Sequence, residues 1–148
     1  MSNIVQIGFT GTRHGMNYLQ KREVYSQLKS LQAENLGAVE LSHGACLGAD
    51  EQVHAIAQGL KIFCHVRPGP NANMSMILPT GCRGCKVYPR EPYRDRNLKI
   101  ADCKHLIVAP FETEEQQRGG TWQTCRFGVR FGAERLLVLP DGKLEVWS

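Results

Sequence analysis

The sequence predicts a doubly wound α/β fold: a mostly parallel sheet of about five strands with helices on both faces. Short apolar runs rich in β-formers alternate with amphipathic segments along the whole chain. Each run is separated from the next by one helical segment, and such crossovers have one hand and make neighbouring strands parallel. Several of the strand-to-helix turns are rich in glycine. With 148 residues, 42% of them hydrophobic and 22% charged, the chain can close one core, and it reads as one domain over residues 1–148.

The elements follow in order. Ile4–Phe9 is the first strand, ending at Thr10-Gly11-Thr12. From Tyr18 to Glu34, Val24, Leu28 and Leu31 recur at spacings of four and three, a helix with one buried stripe that Gly37 stops. Ala38–Ser42 is the second strand and runs into His43-Gly44-Ala45-Cys46-Leu47-Gly48-Ala49-Asp50. The helix that follows puts Val53, Ile56, Ala57 and Leu60 on one face, and Lys61–Val66 is the third strand. Residues 67–92, rich in Pro, Gly and Asn, read as a long irregular loop, a length that in compact domains marks a functional or mobile segment. A helix from about Asp95 to Cys103 leads to strand His105–Ala109, which Pro110 ends. A fourth helix after Arg118-Gly119-Gly120-Thr121 turns Trp122, Cys125 and Val129 inward, and Arg135–Leu139 is the last strand, closed by Pro140-Asp141-Gly142.

Composition excludes some classes. No apolar run approaches a membrane span, and Met1-Ser2-Asn3-Ile4 lacks the basic-then-apolar pattern of an export signal. A cytoplasmic location is expected, with the six cysteines as reduced thiols. Cys82-Arg83-Gly84-Cys85 is a CxxC without a second pair; Cys64 and His65 are the residues that could join it, and the expectation is no metal and no cofactor. A net charge of +4 suits anionic ligands but is too small to argue for nucleic acid.

In doubly wound sheets a ligand lies beyond the carboxyl ends of the strands. Three glycine-rich segments share that edge: Gly8–Gly15, His43–Asp50 and Arg118–Thr124. Glycine admits a ligand close to the backbone, and each helix start offers unpaired N–H groups to an anion. Thr121 is placed to cap the fourth helix or to reach a phosphate oxygen, and Arg118 and Arg126 flank the turn as phosphate forks. His14 and His43 stand beside the turns. Trp122 reads as core. Arg83, Lys86, Arg90, Arg94 and Arg96, interleaved with Tyr88 and Tyr93, read as a solvated face, with a lid over a phosphorylated ligand or a small nucleic-acid surface as the alternatives.

Taken together, Gly8-Phe9-Thr10-Gly11-Thr12-Arg13, His43–Asp50, Arg96-Asn97 with Cys103, and Gly119-Gly120-Thr121-Trp122 resemble the SLOG superfamily, within it the YspA/cpYpsA-related group. The resemblance runs from about residue 7 to Gly142. It implies a Rossmann-like sheet, a site for nucleotides, nucleotide sugars or ADP-ribose-like molecules, and a tendency to form homo-oligomers. It implies ligand contacts from Thr10, Gly11, Thr12, Arg13, His43, Gly44, Gly48, Asp50, Arg96, Asn97, Gly119, Gly120 and Thr121, to which the position of Arg126 beside the turn adds a fourteenth. The superfamily spans phosphoribohydrolases, sensor domains of bacterial and phage-defence systems, and DNA-processing proteins. Its hydrolase branch carries a glutamate where this chain has Thr124, and threonine is no acid or base near neutral pH.

The expectation is therefore a protein that binds a nucleotide-derived small molecule as a sensor, carrier or sequestering protein, with no catalytic residue assigned. Hydrolysis of an N-glycosidic bond through Asp50 or Glu51, and single-stranded nucleic-acid binding, are the alternatives.

Overall fold

The computed structural model describes residues 3–148; Met1 and Ser2, half of the segment read for an export signal, lie outside the described residues. Among the described residues, one sheet of seven strands organises the chain. Its strands are β1 (Val5–Gly11), β2 (Val39–His43), β3 (Phe63–Val66), β4 (Cys85–Val87), β5 (His105–Ala109), β6 (Glu134–Val138) and β7 (Leu144–Trp147), and its spatial order is β4-β3-β2-β1-β5-β6-β7. All neighbours are parallel except β6 and β7. Four α-helices connect them: α1 (Tyr18–Glu34), α2 (Ala49–Gly59), α3 (Tyr93–Ala101) and α4 (Gly120–Phe127).

The expected count of about five strands is corrected to seven. One addition, β4, lies inside the segment expected to be irregular, which also holds a 3-10 turn at Ala72–Met74 and a bridge from Ser75 to Cys46. The other, β7, is the return strand of a hairpin whose turn places Gly142 at φ +83°. Val129 also departs from expectation. Helix α4 ends at Phe127 and continues as a 3-10 turn over Gly128–Phe131, whose tighter winding carries Val129 out to solvent at 63% exposure.

Each face of the sheet has its own core. Ile7, Phe9, Leu41 and Ile107 pack against Val24 and Leu28 of α1 and Val53 of α2. Leu106, Val108 and Leu137 pack on the other face against Ile100 of α3 and Trp122 of α4. Residues alternate between the faces along each strand, so burial of both requires apolar residues throughout. Gln20 ties the layers together: its buried amide donates to the Pro110 carbonyl (2.8 Å) and the Val138 carbonyl (3.1 Å), at the ends of β5 and β6. Its backbone N–H takes the Asn17 side chain in a capping box that starts α1.

Between Ile7 and Phe9, Gly8 faces α3. A Cβ there would stand 2.4 Å from the Ile100 carbonyl oxygen and 3.0 Å from Cys103 Sγ. Helix α3 can lie this close to β1 only over glycine. Gly8→Ala is expected to cost about 1–3 kcal/mol through overpacking, seen as a lower urea midpoint with an unchanged slope.

Candidate functional site

The order of strands reverses between β1 and β5: the chain proceeds from β1 to β2 on one side and later places β5 on the other. At the carboxyl ends of these strands lies a cavity of about 410 Å³, within the range of small-molecule sites. It is walled by the β1 turn, the turn into α2, helix α3, the residues after β5, and the start of α4.

Eleven of the fourteen residues proposed from the sequence line this cavity: Thr10, Gly11, Thr12, Arg13, Gly44, Asp50, Arg96, Asn97, Gly119, Gly120 and Thr121. The β1 turn is braced internally, with Thr12 Oγ1 accepting from the His14 N–H (3.1 Å) and its carbonyl accepting from Ala49 N–H (3.0 Å). Gly119, whose φ of +103° suits glycine, is the N-cap of α4, and no side chain caps the helix. Thr121 is the second residue of the helix rather than its cap. The first N–H groups of α4 have no intrahelical acceptor, and Gly119, Gly120 and Thr121 line the cavity.

Arg96 is the central cation. It is 4% exposed, and its guanidinium donates to the carbonyls of Gly44 (2.6 Å) and Arg67 (3.2 Å) and to Asn97 Oδ1 (2.8 Å). Asn97 in turn donates to Gln123 Oε1 on α4 (2.9 Å). The guanidinium occupies the space where a Cβ of Gly44 would be, 2.6 Å from its Nη1. Glycine at 44 thus makes room for arginine at 96.

Asp50 is buried beside it. Its Oδ2 accepts from the Cys46 N–H (3.1 Å), while Oδ1 is buried without a hydrogen-bond partner. Burial pushes its carboxyl up to about 6, against the opposing pull of the Cys46 N–H and the Arg96 charge. Glu51, the neighbouring carboxylate, is exposed and turned back to cap its own helix at Gly48.

His43, Gly48 and Arg126 are not brought to this cavity. Gly48 packs behind it, where a Cβ would meet the Arg13 carbonyl oxygen at 2.4 Å. His43 is fully buried; its Nδ1 accepts from the Ala45 N–H (3.0 Å), so Nε2 carries the proton and donates to His54 Nδ1 (2.9 Å). Burial, with His54 and Arg96 nearby, lowers its pKa to about 3. Cys64 Sγ joins these two rings within 4.8 Å, a spacing that admits a metal ion. Yet His43 has one nitrogen facing a donor and the other protonated, so it has no lone pair left for one. Nor does His65 join the CxxC: it lies on the opposite side of β3 from Cys64.

Arg126 holds Glu115 (3.0 Å) and the Gln116 and Gln117 carbonyls. It lines an adjoining groove of about 370 Å³ together with Arg13, Arg96 and Arg118, and among the described residues no carboxylate lines that groove. Arg13, Arg96 and Arg118 line both; the cavity adds the carboxylates of Asp50 and Glu112, and the groove adds Arg126.

Three further residues of the cavity, Ile100, Phe111 and Glu112, were not singled out by sequence. Phe111 packs against His14, ring centroids 4.4 Å apart and planes tilted by 37°, and Glu112 accepts from the Trp122 indole N–H (3.0 Å). Phe111 and Glu112 immediately follow Pro110 at the end of β5, at the same sheet edge as the glycine turns. Thr124, by contrast, is 1% exposed and its hydroxyl donates to the Gly120 carbonyl (2.8 Å), inside its own helix.

No protein-family model matches the sequence, and no curated protein matches it. Among solved structures, DNA processing protein A (DprA) from Streptococcus pneumoniae aligns with a TM-score of 0.63 at 18% identity, over 90% of this chain and 50% of that one. The likeness is one of fold. This chain shares the Rossmann-like α/β architecture of that protein and spans about half its length. Among the described residues, no helix is long and apolar enough to cross a membrane.

Proposed function

We propose that this protein binds a phosphate-bearing, nucleotide-derived small molecule, as a sensor, carrier or sequestering protein of the YspA/cpYpsA-related SLOG kind. One observation carries the reading: at the start of α4 a cavity bordered by Asp50, whose Oδ1 is buried without a partner, meets a groove lined by four arginines. A ribose hydroxyl is the natural partner for Asp50 Oδ1, because it donates where the protein offers only an acceptor. Phosphates belong in the groove, where guanidinium forks and helix N–H groups meet them. The Phe111 ring, packed against His14 at the cavity wall with the two planes tilted by 37°, offers a base an aromatic surface.

The test is thermal-shift screening followed by calorimetry with AMP, ADP-ribose, cyclic nucleotides and adenosine. A ligand at about 100 times its Kd stabilises the fold by about 2.7 kcal/mol, and phosphate-bearing members are expected to outperform adenosine. No response from any of them would refute the reading. Arg118 is exposed and lines both cavity and groove. Arg118→Ala is therefore expected to weaken binding about tenfold or more with little change in Tm, as calorimetry would show.

Single-stranded nucleic acid is the second reading, favoured by the four-arginine groove. It predicts oligonucleotide affinity that falls steeply with salt, whereas a mononucleotide site responds weakly.

A further inference from the structure

A second group of polar residues lies on the sheet away from the cavity. Because Cys64 and Val66 face the core, His65 between them points to the other side of β3. There its Nε2 meets Glu40 Oε1 on β2 at 2.7 Å and its Nδ1 meets the Tyr88 hydroxyl at 2.8 Å. Gln6 on β1 donates to the same Glu40 oxygen (3.1 Å). Burial opposes the charge on Glu40, but the hydrogen bonds from His65 and Gln6 outweigh it and hold the carboxyl below its usual range.

The order of proton donors and acceptors follows. A charged Glu40 accepts only, so His65 Nε2 carries the proton and Nδ1 presents its lone pair to the Tyr88 hydroxyl. Phenol, imidazole and carboxylate thus stand in the sequence nucleophile, base, positioning group. Two cations flank the phenol: the Arg67 guanidinium lies 3.9 Å from the ring centroid and the Lys86 ammonium 4.7 Å from it. Arg67 Nε is buried without a partner. Among the described residues, Glu40 of β2 and Tyr88 just after β4 meet His65 directly, Arg67 and Lys86 stand behind them over the Tyr88 ring, and Phe63 on β3 meets the imidazole edge-on at 5.2 Å.

We infer that Tyr88 is a nucleophile that accepts a tetrahedral anionic group, phosphoryl or sulfuryl, with His65 as its base and Arg67 and Lys86 holding the charge of the donor. In the step, Tyr88 Oη bonds to phosphorus or sulfur and the bond to the leaving group breaks. The phenolic proton passes to His65 Nδ1 and then to the leaving group. The product is a tyrosyl ester, and no electrons change hands.

The test uses the full chain and an anionic sulfonyl fluoride, 4-(fluorosulfonyl)benzoate, with benzenesulfonyl fluoride as its neutral counterpart, read by peptide mass spectrometry. Tyr18, which is 71% exposed, is the internal reference. Tyr88 is expected to react at least about tenfold faster than Tyr18, a general-base advantage that exposure cannot supply. His65→Gln removes the advantage. Glu40→Gln slows Tyr88 and moves its pH profile towards the tenfold-per-unit climb of a free phenol, while Lys86→Gln erases the preference for the anionic reagent. Acetyl phosphate and p-nitrophenyl sulfate, offered separately, distinguish the two donors. Labelling of Tyr88 no faster than Tyr18, a rate unmoved by His65→Gln, or transfer from neither donor overturns the assignment. Should His65→Gln fail to unfold cooperatively, Glu40→Gln and Lys86→Gln decide the matter in the same way.

Discussion

Arg96→Leu is expected to lower stability by about 3–5 kcal/mol, read as a large fall in the urea midpoint of the circular-dichroism transition. Leucine fills part of the volume, but it leaves the Gly44 and Arg67 carbonyls and Asn97 Oδ1 without their donor. A buried acceptor deprived of its partner costs about 1–3 kcal/mol, more than the gain from added apolar contact. Asp50 also loses the cation that partly offsets its burial. Arg96→Lys should recover only a fraction, because one ammonium cannot reach two carbonyls and an amide from the same stem, nor stack as a plane on Tyr93, 5.2 Å away. A loss below about 1 kcal/mol for the leucine variant would mean that water reaches these carbonyls once the guanidinium is gone. Ligand binding should fail in either variant, since Arg96 borders both the cavity and the groove.

This dependence of one turn on one distant arginine bears on what a sequence reveals. The pattern around β1, α1, β2, α2 and β5 is legible because apolar periodicity there is long enough to fix the type of element. β4 is not: three residues, Cys85-Lys86-Val87, are too few to show alternation, and their pairing with β3 supplies what propensity does not. β7 is legible although it stands outside the expected five. Asp141-Gly142 followed by Leu144-Glu145-Val146-Trp147 carries a hairpin signal, and the structure pairs that segment antiparallel to β6.

The site divides in the same way. Glycine turns at strand ends are visible in the sequence, and so is the topology that gathers them. Which side of a turn a residue faces is not. His43 and Gly48 belong to the same segment as Gly44 and Asp50, yet only the latter two reach the cavity. The reason is local: the His43 ring is held inward by the Ala45 N–H and by His54, a residue four places beyond Asp50 in the following helix that no motif points to. Asp50 reads equally well as a charge at a helix start, and its surroundings come from Arg96 and Cys46, brought from α3 and from the turn.

Asp50→Asn is expected to stabilise the free protein at neutral pH while weakening its binding of ligand. The sign follows from the two states of the carboxyl. Unfolded, it releases its proton near 3.8; folded, burial holds the proton until about 6. Well below pH 3.8 both states are protonated and the group is neutral in its effect. Between about pH 4 and 6 the unfolded chain ionises first, so the native state loses stability as pH rises, and the loss is complete above the folded value. The rise from 3.8 to about 6 corresponds to about 3 kcal/mol. Asparagine has the same shape and no such loss, so the two proteins should be nearly equal in urea midpoint at about pH 3 and diverge towards pH 7. Binding should run the other way. With ADP-ribose, whose diphosphate keeps its charge across this range, wild-type affinity should rise through about pH 6 as Asp50 becomes the acceptor for a ribose hydroxyl. The asparagine variant should bind about tenfold or more weakly above that pH and show no such rise. Stability lost together with affinity would make Asp50 a brace of the turn. Stability gained at the cost of affinity marks a group held at an energetic disadvantage for the ligand it receives.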